Sequence, residues 1–277
     1  MALNNTPFQK MHSLGNDFVI FGSDLTLLPE TIKKVAHRRY GVGCDQVLQV
    51  LPSLKDDVHG FLRIFNADGT AAEACGNGTR CVMWDLARRY GISDIVVETE
   101  AGRLSGRLVG ERDVEVVQGQ ANFLSEDPLD LSDFGVEEGF SVSMGNPHLV
   151  IPVKNFDPGC MERIGPRLEV HPFFAHKTNV EFVQLEDDGV RLWVWERGAG
   201  RTQACASGAS AAVFALAQDG LLKGQSHLVR LEGGPLWVTL GDNNIVKHRA
   251  EVSFVFEGTV FLESSDNVEI RLSPKRA

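Results

Sequence analysis

The sequence predicts an α+β fold of two pseudo-symmetric halves, each a bent, mainly antiparallel sheet around a central helix, with an active-site cleft between them. Three observations carry this expectation. Chemical landmarks recur at an offset of 130 residues, strand-like segments are many and short, and helical segments are few.

The repeat is read from landmarks in matching order. Ser13-Leu14-Gly15-Asn16 falls on Ser143-Met144-Gly145-Asn146, each followed by a short apolar strand. Asn66 falls on Glu196, each closing an alternating run, FLRIFN and RLWVWE. Cys75 falls on Cys205, each at a turn before a helical stretch. Those stretches end near Gly91 and Gly220, and a strand with an acid-and-glycine turn follows each, VVETEAGRL and LVRLEGGPL. Duplication explains so ordered a set.

Along the chain, FVIF, QVLQVL, IVVETE, VEVV, LVIPV, VEFVQL, LWVWE, WVTL and VSFVF are β-branched or aromatic and bounded by Gly, Asp or Asn. Such runs read as strands. A first helix is expected over residues 27–39, with Pro29 near its start, where a missing N–H is no loss. A second follows Cys75, with Val82, Leu86 and Tyr90 in one stripe. A third follows Cys205, where Ala209, Ala212, Val213 and Leu216 repeat with small side chains that permit close packing. Pro158-Gly159-Cys160 reads as a loop, and the change of halves is expected at residues 119–122.

Composition narrows the function. With 43% hydrophobic and 23% charged residues the 277-residue chain has the profile of a soluble protein with a substantial core. A formal charge of −10 with no basic block argues against nucleic acid or an anionic membrane as partner. The first residues lack the basic and apolar regions of a secretory signal, and no apolar run approaches the ~18–20 residues of a membrane span. A cytoplasmic protein is expected. Its five cysteines, an odd and sparse set, form neither a disulfide framework nor a zinc-ligand pattern, so no metal is expected. Thiol chemistry in a reducing compartment remains.

Cys75 and Cys205 both precede a helix, in Cys75-Gly76-Asn77-Gly78 and Cys205-Ala206-Ser207-Gly208. A helix start offers N–H groups that hold a carboxylate, and its dipole lowers a nearby thiol's pKa. One such cysteine reads equally as a small residue packing a helix start. Two at duplicated positions suit a reaction that takes a proton from one face of a carbon and returns one to the other. The helix N–H groups would stabilise the charge growing on the substrate carboxylate, and no cofactor is needed. Lysines are scattered, with no pyridoxal-phosphate context.

The strings MHSLGNDF, GVGCDQVL, FNADGTAAEACGNGTRC, GNPH, TNVEFVQ and ERGAGRTQACASGA, from Met11 to about Ala212, resemble those of the diaminopimelate epimerase family in identity and order. The resemblance implies interconversion of L,L- and meso-diaminopimelate, on the route to lysine and peptidoglycan. It implies that fold, a homodimer, and a final strand returning to the first half. The halves are then residues 1–119 with about 265–277, and 120–264.

Position by position, the resemblance makes Cys75 and Cys205 the acid/base pair. Gly76, Asn77, Ala206 and Ser207 supply backbone N–H groups at the helix starts. Asn16, Gln46, Asn66, Asn146 and Asn179 line the pocket as amides. Glu196 and Arg197 meet the distal ammonium and carboxylate, and His148 with Glu196 biases which thiol is ionised. Ala206 departs from the family's usual glycine, and alanine disfavours a left-handed backbone there.

The residues alone leave alternatives. Gly-Asn is an ordinary turn, His148 also reads as a structural histidine, and Glu196–Arg197 as a solvated pair. Cys44 and Cys81 read as packing, and Cys160 has no role. A cofactor-independent racemase of proline, hydroxyproline or histidine would share the two-thiol logic, although Arg197 and the amides favour a second amino-acid head group. A thiol redox protein explains neither, and a non-catalytic diamino-acid binder would leave both cysteines unused.

Overall fold

The computed structural model describes residues 4–22, 25–262 and 268–271. The chain opens with β1 (Asn4–Ser13), β2 (Asn16–Phe21), α1 (Pro29–Ala36), β3 (Gln46–Leu51), β4 (Gly60–Asn66) and β5 (Ala71–Ala72). It continues through α2 (Gly76–Tyr90), β6 (Asp94–Thr99), β7 (Gly102–Leu108), β8 (Asp113–Gln120), β9 (Asn122–Phe123) and β10 (Leu129–Asp130). Next come β11 (Glu138–Ser143), β12 (Pro147–Pro152), α3 (Pro158–Glu169), β13 (Asn179–Glu186), β14 (Gly189–Glu196) and β15 (Gly200–Thr202). Last are α4 (Ala206–Gln218), β16 (Ser226–Leu231), β17 (Gly234–Leu240), β18 (Ile245–Glu251), β19 (Ser253–Leu262) and β20 (Val268–Arg271).

Two compact units result, Met1–Glu115 with Glu251–Ala277, and Val116–Ala250. They share one pairing scheme. In the first, β1–β2 is antiparallel, β2–β3 parallel across α1, β3–β4 and β4–β5 antiparallel. After α2, β6 pairs parallel with β4 and antiparallel with β7. The second repeats this as β11–β12, β12–β13 across α3, β13–β14 and β14–β15. After α4, β16 pairs parallel with β14 and antiparallel with β17. The duplication read from landmarks is therefore a duplication of hydrogen-bonding order.

The central strands β2, β3, β12 and β13 are buried on both faces, and their period of two deals side chains to different helices. Val19 and Val47 join α1 residues Ile32 and Val35 in one core, whereas Phe18 and Leu48 lie against Gly78 of α2. In the second unit Val180 and Phe182 join α3 residues Met161, Ile164 and Leu168 in one core. Glu181, between them in sequence, faces Gly208 of α4 instead.

Several boundaries differ from expectation. The first helix is Pro29–Ala36 rather than 27–39, because Leu28 and His37 are extended and Gly43 and Cys44 take the Val35 and Ala36 carbonyls. The segment holding Cys160 is a helix, α3. Asp157 caps it by accepting from the Gly159 N–H at 2.9 Å, and Pro158 occupies the first turn, where proline is tolerated. Glycine and proline at 158–159 and 165–166 masked it as a loop. The units divide within β8 rather than at a turn at 119–122, and the return to the first unit falls at Glu251 rather than near 265. There β19 pairs along β1, and β20 adds to β19. Residues 265–267 and 272–277 of the expected final strand lie outside the described residues.

Candidate active site

Cys75 is the N-cap of α2. Its backbone is extended (φ −153°, ψ 104°) and its Sγ accepts from the Gly78 N–H at 3.4 Å. A cysteine sulfur thus takes the place usually held by a serine or aspartate oxygen. The thiol faces Asn16 Oδ1 at 3.7 Å, and Asn77 Nδ2 donates to the same oxygen at 3.3 Å. Asn16 is placed by the β1–β2 hairpin, whose Leu14 and Gly15 both have positive φ. Such a turn matches the twist of the strands, at a strain borne by Leu14. Asn16 Nδ2 donates to Asp45 Oδ2 at 3.0 Å, within a cluster where Arg38 grips both Asp17 oxygens at 3.0 and 2.8 Å.

Beneath this start lies the fully buried Arg80, which donates to Ser13 Oγ at 3.1 Å and to Asn77 Oδ1. Burial lowers its pKa to about 10, still far above neutral. Gln46 Nε2 donates to Asn66 Oδ1 at 3.0 Å, and Asn66 Nδ2 to Thr70 Oγ1 at 3.1 Å. The expected residues of this unit, Asn16, Gln46, Asn66, Cys75, Gly76 and Asn77, stand at neighbouring strand ends and one helix start.

Cys205 caps α4 in the same way, with φ −125°, ψ 112° and its Sγ accepting from the Gly208 N–H at 3.3 Å. Ser207 Oγ is 3.4 Å from that sulfur. Ala206 occupies the first helical position and is not among the positive-φ residues, so alanine is unstrained there. Asn179 joins two turns: Nδ2 donates to the Pro147 carbonyl at 3.1 Å, and Oδ1 accepts from the Arg197 N–H at 3.0 Å. Arg197 is exposed, with Nη1 on the His176 carbonyl at 3.2 Å. Glu196 accepts from Thr202 Oγ1 at 2.5 Å.

One expectation is overturned. The Cys205 thiol is not lowered toward neutrality. Burial pushes it well above its ordinary value, and the Glu196 and Glu181 carboxylates push it further, against help from Ser207 and the Gly208 N–H. The helix dipole is a weaker effect than removing a thiolate from water. His148 is a hydrogen-bonded core residue. It is fully buried, with Nδ1 at 2.7 Å from Glu181 Oε1 and Nε2 at 3.1 Å from Asn146 Oδ1. Sequence reasoning missed Glu181, because an acid alternating with Val180 and Phe182 reads as the outward face of a strand. Cys44 and Cys81 are buried packing residues, the Cys44 thiol pushed up by burial to about 12. Among the described residues no group of three or more His, Cys, Asp or Glu could hold a metal ion.

The sequence model described as diaminopimelate epimerase matches residues 8–124 and 140–255, spanning both helix-start cysteines. The chain belongs to the diaminopimelate epimerase family. It is 39% identical over 266 residues to the diaminopimelate epimerase of Acidiphilium cryptum (strain JF-5), covering 91% of this chain and 95% of the relative. It is 42% identical over 249 residues to that of Thioalkalivibrio sulfidiphilus (strain HL-EbGR7), covering 83% and 88%. The family's fold extends to remote structures. A hydroxyproline epimerase from Agrobacterium vitis superposes with a TM-score of 0.72 at 16% identity, over 94% of each chain. A PhzF-family phenazine biosynthesis protein of Bacillus anthracis gives 0.72 at 17%, over 94% of this chain and all of the other. No helix among the described residues is long and apolar enough to cross a membrane.

Proposed function

We propose that Cys75 and Cys205 act as the proton-transfer pair of a diaminopimelate epimerase. The activity itself, an isomerase reaction between L,L- and meso-diaminopimelate that feeds lysine and peptidoglycan synthesis, follows from family membership. The observation that carries the two-thiol reading is the shared cap. In each unit a cysteine sulfur, not an oxygen, closes the helix start by accepting from the glycine N–H three residues on.

In the forward half-reaction one cysteine, as thiolate, takes the α-proton, so a C–H bond breaks and an S–H bond forms. The electron pair moves toward the α-carboxylate. The first N–H groups of a helix have no carbonyl partner within it, and those after each cysteine suit that growing charge. The other cysteine, as thiol, gives its proton to the opposite face and is left as thiolate. The two thiols have then exchanged states and run the reverse reaction. The raised pKa of Cys205 supports its being the proton-bearing partner in the unliganded protein. Gly76, Asn77, Ala206 and Ser207 hold the α-carboxylate in this reading. Asn16, Gln46, Asn66, Asn146 and Asn179 hold polar groups of the substrate. Arg197 and Glu196 meet the distal carboxylate and ammonium.

We place the protein in the cytoplasm as a homodimer, with the small amino acid and neither nucleic acid nor membrane as its partner. Five cysteines without a disulfide-framework spacing and a charge of −10 support this placement. The test is α-proton exchange in heavy water under reducing conditions, followed by NMR. L,L-diaminopimelate gains deuterium at the α-position together with meso product, and Cys75→Ala and Cys205→Ala each lose both. Epimerisation surviving in either variant would end the two-thiol reading.

A further inference from the structure

Duplication supplies an internal control for the buried pair in the second unit. By register, Phe18 opposes Gln46 on the parallel β2–β3 pair, and His148 opposes Asn179 on the equivalent β12–β13 pair. Two residues further along, Leu48 and Glu181 are counterparts. In the first unit Phe18 and Leu48 pack on Gly78, and in the second Glu181 packs on Gly208, the equivalent glycine. The scaffold is thus satisfied by two apolar side chains at these places. The second unit holds an ionisable pair there instead, both side chains 0% exposed.

The hydrogen-bond partners of the pair are few and specific. Glu181 Oε1 and His148 Nδ1 are 2.7 Å apart, within hydrogen-bond reach. The other carboxylate oxygen, Oε2, is buried with no hydrogen-bond partner among the described residues, so His148 is the side chain that Glu181 addresses. Asn146 Oδ1 can only accept, so His148 Nε2, 3.1 Å away, is the donor there. An amide whose oxygen is occupied presents its N–H2 group elsewhere. Asn146 is half-buried, at the turn between β11 and β12.

We infer that Glu181 is a positioning residue: through His148 it fixes the Asn146 amide with its N–H2, not its oxygen, turned toward a substrate carboxylate. The inference deepens the proposed function and rests on Asn146 meeting the substrate. A carboxylate accepts hydrogen bonds only, so a flipped amide would oppose it oxygen to oxygen. Glu181 acts at one remove from substrate, which is why neither its spacing nor its strand position marks it.

The test reads the ring directly. Two-bond 1H–15N spectra of 15N-labelled protein at pH 7, with the His148 signals assigned by their loss in His148→Gln, show Nε2 protonated. In Glu181→Leu, which installs the first unit's residue, Nδ1 loses its partner and the ring proton is no longer fixed on Nε2. The KM for diaminopimelate then rises roughly tenfold, as for one lost hydrogen bond to a charged group, with kcat little changed. Glu181→Gln, whose amide still donates to Nδ1, restores most of the KM. A bare Nε2 in the native protein overturns the inference, and this reading needs no variant to fold. An unchanged ring or an unchanged KM in Glu181→Leu overturns it too. Native protein with protonated Nε2 but no α-proton exchange would sink the proposed reaction and leave the ring assignment standing.

Discussion

Gly208→Ala offers a sharp test of the packing at the second helix start, because Gly78→Ala is its matched control. A Cβ built on Gly208 lies 2.5 Å from Glu181 Oε1, 3.0 Å from its Cγ and 3.1 Å from its Cδ. The carboxylate has no room to yield, since it is fully buried and Oε1 is tied to His148 at 2.7 Å. At Gly78 the same Cβ meets Leu48 Cδ1 at 3.1 Å and Phe18 Cε1 at 3.2 Å, atoms that can shift a few tenths of an ångström. Neither glycine has a positive φ, and alanine gains about 1 kcal/mol in helix propensity at both. Overpacking a core removes about 1–3 kcal/mol. Displacing a charge-assisted hydrogen bond removes a further ~1.5–3 kcal/mol. Gly208→Ala therefore loses about 1.5–5 kcal/mol of stability, while Gly78→Ala stays within about 1 kcal/mol of the native protein. Urea unfolding followed by circular dichroism measures both. The cause is isolated by a cycle with Glu181→Ala, in whose background the Gly208→Ala loss shrinks below about 1 kcal/mol. A loss that persists there, or a Gly208→Ala protein as stable as the native one, refutes the contact as the reason for glycine.

Arg80→Met removes the donors that hold Ser13 Oγ and Asn77 Oδ1 inside the first unit. It lowers the urea midpoint by an amount equivalent to about 2–4 kcal/mol, and an unchanged midpoint would show that the buried guanidinium organises nothing. On the alkaline side, burial raises the thiols of Cys44, Cys81 and Cys205, so the folded protein keeps protons that the unfolded chain releases above about pH 8.5. Stability is full below that pH and falls as pH rises, by about 1.4 kcal/mol per unit for each thiol. Cys44→Ala makes the fall shallower in urea titrations at pH 8–10, and an identical slope would contradict it. On the acid side, burial raises the Asp17 carboxyl, but hydrogen bonds from Arg38 and Lys10 outweigh it and hold it well below the usual range. Its stabilisation is present above about pH 4 and lost as pH falls through lower values, so Asp17→Asn weakens the protein at pH 7 and flattens its acid-side decline.

How much of the site could be read beforehand differed by residue. Cys75 and Cys205 were legible because a helix cap is a local event: the residue, the turn and the N–H it accepts lie within three positions. Asn16 and Asn146 were legible through the repeat, yet their surroundings were not. Asn16 opens β2 directly after a two-residue loop and contacts Cys75, whereas Asn146 lies in the turn itself and contacts His148. The helix at Pro158–Glu169 was hidden by its own capping chemistry, since Asp157 and Pro158 look like a loop until the chain after them is seen to coil.

The sequence by itself determined what local rules and a repeated pattern can carry: the α+β class, the duplicated order, the two cysteine caps and the family. Only the tertiary structure decided what long-range packing controls. It dealt Glu181 to the α4 face and sealed it from water beside His148, where alternation alone would have turned it outward. It raised the Cys205 thiol, because desolvation and two carboxylates from distant strands outweigh one helix start. Caps and turns are fixed by neighbours along the chain, whereas burial and field are sums over everything that packs around a group, and those neighbours exist only once the chain has folded.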